Sequence, residues 1–171
     1  IDHEIGRGHD PQISRHHIAR MQHHDIPRDH VNDRHLALHR LPKPAIAKVN
    51  GVAAGMGASL ALGCDLVLAA DDAAFAQIFV KRGLALDGGV SWTLPRTVGL
   101  RRAKQMAFFG EPVTAAQALE WGMITEVVPA DDLAKVGDFW AARLAASPTT
   151  AVGLIKRQLD SSFGASFEEQ V

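Results

Sequence analysis

The chain has 171 residues, 47% of them apolar, and a net charge of −1. That length supports one domain with a real core, and the near-neutral balance gives no basic field for nucleic acid. No apolar run is long enough to span a membrane and no signal peptide opens the chain. The single cysteine, Cys64, cannot form an internal disulfide. This fits a reducing compartment, and the cytoplasm is the expected location.

All nine histidines fall between His3 and His39. Residues 1–40 are rich in Asp, His and Arg and show no sustained period of 3.6 or 2.0. Three readings of this segment stay open. It is a disordered or partly ordered arm, a metal-binding arm through His16-His17 and His23-His24, or non-native sequence. The usual structural ligand spacing is absent, so no metal site is assigned. Beyond Leu41 the chain turns Ala/Leu/Val/Gly-rich, and 41–171 is read as a single domain.

In that domain, Ala45–Val49 predicts a strand closed by the turn pair Asn50-Gly51. Gly55 and Gly57 allow close approach to a ligand, and Ala58–Leu62 predicts the helix behind them. Such a helix aims its free N–H groups at the glycine turn, which suits a developing oxyanion. Close helix–strand packing explains the same glycines equally simply. Leu66–Ala69 predicts a buried strand, Phe75–Ile78 a short one, and Gly83 to Gly89 a loop. Ser91–Val98 predicts a short helix in which Pro95 is tolerable only near the first turn. Arg101–Phe109 predicts another, stopped by Gly110. Thr114-Ala-Ala-Gln117 is a capping-box pattern opening a helix that Gly122 ends. Ile124–Val128 predicts a strand. Asp131 or Asp132 is expected to cap a helix from Leu133 to about Ala146, and Ala151–Ser162 to form the last. Alternating strands and helices argue for stacked β/α units, an α/β fold.

The run Lys43-Pro-Ala-Ile-Ala-Lys-Val-Asn-Gly-Val-Ala-Ala-Gly-Met-Gly-Ala-Ser-Leu-Ala-Leu-Gly-Cys-Asp65 resembles the crotonase superfamily, the enoyl-CoA hydratase/isomerase family. Phe75-Ala-Gln77, the stretch from Gly83 to Gly99 and the stretch Ala115–Val128 extend the resemblance over roughly Leu41 to Phe163. The runs from Phe79 to Leu84 and from Ser91 to Arg96 look most like the phenylacetyl-CoA pathway ring-opening isomerase type within the family. The resemblance implies a ββα spiral core and an acyl-CoA thioester substrate with no separate cofactor. It also implies a homo-oligomer of the trimer or hexamer kind. Family members carry further segments before and after the matched region, including one that supplies another oxyanion N–H. The chain is thus expected to be the middle and later part of such a protein, incomplete at both ends.

By the same resemblance, the backbone N–H of Met56 falls in the oxyanion hole. Ala54, Gly55, Gly57, Phe79, Leu86 and Trp92 fall along the substrate path. The two glutamate positions of hydratases are occupied by Ser59 and Phe79, neither of which can move a proton as a carboxylate does. Asp87 stands where family isomerases and aryl-CoA dehalogenases carry an aspartate, with Leu86 in place of their usual proline. Asp87 is therefore the expected proton shuttle, although Asp-Gly is also an ordinary turn pair. Met56, Phe79 and Trp92 can equally be core. Asp65 reads as structural. Lys43, Lys81 and Arg82 are candidates for coenzyme A phosphates or for a solvated basic face. The expected activity is enoyl-CoA isomerisation through a thioester enolate. The alternative is an inactive chain of the same fold that keeps assembly or acyl-CoA-binding surfaces.

Overall fold

A computed structural model describes residues 30–171. The chain runs α1 (His30–His39), β1 (Ile46–Val49), β2 (Val52–Ala54), α2 (Met56–Leu62), β3 (Leu66–Ala70) and β4 (Ala74–Ala76). A 3₁₀ turn, Ile78–Arg82, leads to α3 (Val90–Phe109), β5 (Val113–Thr114), α4 (Ala115–Glu120) and β6 (Glu126–Val128). A second 3₁₀ turn, Ala130–Asp132, precedes α5 (Leu133–Ala145), α6 (Thr149–Ser162) and α7 (Phe167–Gln170).

Asn50-Gly51 moves the chain from one sheet to another, so β1 and β2 belong to different layers. One sheet has the order β1-β3-β6 and the other β2-β4-β5. Ile46 lies beside Leu66 and Val49 beside Ala69 in a parallel pair, and Leu68 lies beside Glu126. In the second sheet Val52 lies beside Ala74 in parallel, whereas Phe75 and Val113 pair antiparallel. Each strand–strand–helix turn thus stacks on the one before it, as the ββα spiral requires. Small residues permit that stacking: Ala58, Ala69 and Ala70 are fully buried among Leu68, Phe75 and Leu94.

Several local expectations hold. Gly99, at φ 77° and ψ 158°, breaks α3 into the two helices read from the sequence. Gly110 closes the second at φ 61°, its N–H reaching Met106 O at 2.9 Å. Thr114 and Gln117 form the full capping box.

Other boundaries move. Residues 30–39 are helical, although the front segment shows no apolar period; residues 1–29 lie outside the described residues. The strand expected at Phe75–Ile78 is Ala74–Ala76, because the chain turns into the 3₁₀ segment at Ile78. Pro95 sits in the second turn of α3, later than expected; nearby the Arg96 guanidinium donates to the Trp92 carbonyl at 2.9 Å. Asp132 makes no side-chain cap, since Ala130–Asp132 already winds as a 3₁₀ turn into α5.

Candidate active site

The Met56 turn joins β2 to α2. Gly55 adopts φ 53° and ψ −118°, which side chains on L residues rarely allow. Its N–H donates to Ala76 O at 2.8 Å, which fixes it to the end of β4. A Cβ at Gly55 would come within 3.4 Å of Ile78 and 3.9 Å of the Phe79 ring. Phe79 lies beneath the turn and is only 7% exposed. A Cβ at Gly57 would meet nothing within 4 Å, so that side of the turn is open. Met56 is the first residue of α2, where no carbonyl one turn back exists to accept its N–H.

Asp87 lies in the loop before α3. Gly88 and Gly89 follow it at φ 66° and 73°, two successive left-handed residues that turn the chain into the helix. Asp87 is half-buried, and its Oδ1 accepts the Gly88 N–H at 2.7 Å. Its carbonyl accepts the Ser59 hydroxyl at 3.1 Å. The same hydroxyl lies 3.1 Å from Gly55 O, so Ser59 touches both the turn and the loop. A Cβ at Gly88 would sit 3.0 Å from atoms of His35, Met56 and Ser59. The structure thus brings the Met56 side chain and Ser59 of α2 close to the Asp87–Gly88 loop.

Trp92 stands one turn into α3, 39% exposed. The Arg96 guanidinium lies 4.1 Å over its ring and His39 meets its edge at 5.4 Å. Trp92 lines a cleft of about 400 Å³ together with His35, Leu36, His39, Gly88 and Gly89. The cleft begins at the Asp87 loop, and α1 forms its far wall. Sequence reasoning gave α1 no part in it, because histidines at these spacings carry no clear helical period.

Asp65 is structural, as read. Its Oδ2 accepts the Ala45 N–H at 2.6 Å and the Lys156 ammonium at 2.9 Å. Beside it, burial pushes the Cys64 thiol above its ordinary value; the Asp65 charge adds to that and Lys156 opposes it. Lys43, Lys81 and Arg82 are all exposed. Among the described residues, no cluster of His, Cys, Asp and Glu is placed to hold a metal ion, and His16-His17 and His23-His24 lie outside them. No described helix is long and apolar enough to cross a membrane.

Residues 8–171 match the profile of the family described as enoyl-CoA hydratase/isomerase, and the chain belongs to that family. The match starts well before Leu41, within the His-rich segment. The chain is 50% identical over 125 residues to the 1,2-epoxyphenylacetyl-CoA isomerase of Escherichia coli K12, covering 73% of this chain and 48% of that protein. It is 37% identical over 139 residues to the trans-2-decenoyl-[acyl-carrier-protein] isomerase of Streptococcus mutans, covering 81% and 53%. The crystal structure of an enoyl-CoA hydratase from Mycobacterium avium subsp. paratuberculosis K-10 superposes with a TM-score of 0.75 at 42% identity, over 77% of this chain and 54% of that one. The chain spans about half the length of the curated relatives it matches.

Proposed function

We propose that this chain carries the proton-transfer part of an acyl-CoA isomerase site. The observation that supports it best is the apposition of Met56 and Asp87. A first-turn backbone N–H and a half-buried carboxylate sit on the two segments that the Ser59 hydroxyl touches, with a single carboxylate oxygen engaged among the described residues.

In this reading, Asp87 Oδ2 takes the proton α to the thioester carbonyl. The electron pair of that C–H bond moves onto the carbonyl oxygen, giving an enolate. The Met56 N–H donates to that oxygen; one such donor is typically worth roughly 3–4 kcal/mol in the transition state. Asp87 then returns the proton to the γ carbon and the double bond shifts. No electrons are gained or lost overall, so the step needs no redox partner, and coenzyme A enters only as part of the substrate. The Gly88 N–H on Oδ1 orients the carboxylate and leaves the other oxygen for transfer.

Ser59 and Phe79 argue against hydration. The first is a hydroxyl in a buried hydrogen bond and the second a buried phenyl ring, so neither offers a carboxylate to activate water. Two isomerases among the similar proteins lend the reading further support.

The test is α-proton exchange. The protein is incubated with a 3-enoyl-CoA or phenylacetyl-CoA in D2O and deuterium uptake is followed by mass spectrometry. Asp87→Asn is expected to lower uptake by about 10²–10⁴-fold, the range for loss of a positioned acid–base group. Uptake that persists in Asp87→Asn would remove Asp87 from the mechanism. Thioester binding without uptake by the wild type would favour the alternative, a fold that binds acyl-CoA but does not turn it over.

A further inference from the structure

We infer that Ser59 is a positioning residue, whose hydroxyl sets the distance between the Asp87 loop and the Met56 turn. This rests on the roles given to Asp87 and Met56 above.

Ser59 is fully buried in the second turn of α2. Its oxygen lies 3.1 Å from Gly55 O and 3.1 Å from Asp87 O. A hydroxyl has one proton, so it is shared between the two carbonyls or alternates between them. Either way, one donor joins two backbone carbonyls, those of Gly55 and Asp87, that are remote in sequence. One is the carbonyl next to the Met56 N–H; the other belongs to the residue whose carboxylate moves the proton.

The hydroxyl matters because little else restrains that carbonyl. The other bond to Asp87 O comes from Val90 N at 3.5 Å, the outer limit of a hydrogen bond. The carboxylate of Asp87 is spent on its own neighbour, Gly88, and so ties the loop only to itself. The space beside Gly88, too narrow for a Cβ next to Met56 and Ser59, limits how much closer the loop can come, but does not prevent it from moving away. The Ser59 hydroxyl supplies the missing attraction. It is mounted on a fixed body, since Ala58, Ala61 and Leu62 of the same helix are buried as well. Proton transfer requires reach of about 2.6–3.2 Å, and a displacement of about 1 Å can cost about 10²-fold. A side chain that touches no reacting atom can therefore govern the rate.

Ser59→Ala removes the proton and keeps the volume nearly constant. In the D2O assay it is expected to lower the saturating exchange rate about 10-fold, a fraction of an ångström of lost placement, while the thioester Kd stays within about twofold. Amide hydrogen exchange of residues 88–90 should quicken, and that of α5 should not. Ala61→Gly loosens the same helix without touching the hydroxyl and should leave the exchange rate within about twofold. An undiminished rate in Ser59→Ala overturns the inference. So does an equal loss in Ala61→Gly, because the effect would then be one of helix stability. If the wild type shows no α-proton exchange, the proposed function falls instead. Amide exchange then decides the tie alone, and unchanged protection at residues 88–90 overturns it.

Discussion

The Asp87 loop meets α2, whereas α5 packs on β1 and β3 and α6 against Pro42, and different forces hold the two regions. The loop depends on backbone conformation: Gly88 and Gly89 are left-handed, and a single hydroxyl reaches in from α2. The outer helices depend on close packing and charge. Gly137 of α5 lies against the Lys48 side chain, and Gly153 of α6 lies against the Pro42 carbonyl. Lys48 pairs with Asp138 at 3.0 Å in the open, and Lys156 with Asp65 at 2.9 Å under cover. Trp140 adds a bond to Glu126 at 3.1 Å. The loop can therefore be repositioned by removing one proton donor without cost to the scaffold. The scaffold, by contrast, is spread over many contacts, of which only a few meet rigid atoms. Chemistry and stability should separate accordingly when each region is altered.

The sharpest test on the scaffold side is Gly153→Ala. The added Cβ would collide with Pro42 O, a backbone atom that cannot swing aside. A loss of roughly 2–3 kcal/mol is expected, read from the urea midpoint. Gly137→Ala meets only the methylenes of a partly exposed lysine, which can move. It should cost well under half as much, helped by the better helix propensity of alanine. Equal losses would mean that rigid and flexible neighbours are not distinguished here.

A smaller effect is expected from Lys156→Ala. The lysine side chain is 8% exposed and Asp65 24%, so the pair is largely shielded and its loss strands a carboxylate. The Ala45 N–H remains to satisfy Asp65, which limits the cost to roughly 1–2 kcal/mol. If the α-proton exchange of the surviving folded fraction also fell, the two regions would be coupled and the contrast would fail.

The smallest effect concerns pH. Burial raises the Cys64 thiol in the folded chain above its ordinary 9.0, with Asp65 adding to the rise. The folded state then holds the proton longer than the unfolded state. Its contribution to stability is whole below the unfolded value and is lost as pH climbs through the folded one. Between pH 7.5 and 9.5 the urea midpoint of the wild type should fall slightly more than that of Cys64→Ala. An equal fall in both would show that Cys64 titrates as a free thiol does.

How much of this was legible in the sequence follows the range of the interactions. The Thr114 capping box could be read because both its bonds close within three residues, Gln117 N to Thr114 Oγ1 at 3.2 Å and Thr114 N to Gln117 Oε1 at 3.1 Å. Gly110 and Gly122 end helices by local geometry in the same way. The strands Val52–Ala54 and Val113–Thr114 escaped notice. They are three and two residues long and exist through pairing with β4, which no short window contains. Phe79 illustrates the same limit: its aromatic character suits a pocket or a core, and its place beneath Gly55 is set by a neighbour remote in sequence. Ser59 was judged by what it lacks, a carboxylate. Its bond to Asp87, remote in sequence, exists only in the fold.

Gly55 O and Asp87 O also delimit how the site could change its chemistry over evolutionary time. By resemblance, residue 59 is where hydratases place a glutamate. In this chain the space there is filled: the side chain is fully buried between two carbonyl oxygens, and Gly88 leaves no room for a Cβ beside it. A carboxylate at 59 would meet the two carbonyl oxygens that the hydroxyl now serves, and its length would press on the 86–89 loop. Placing an acid on α2 and keeping Asp87 where it stands are thus rival occupations of one volume. An ancestor passing from one chemistry to the other would have had to rebuild the loop in the same stretch of its history.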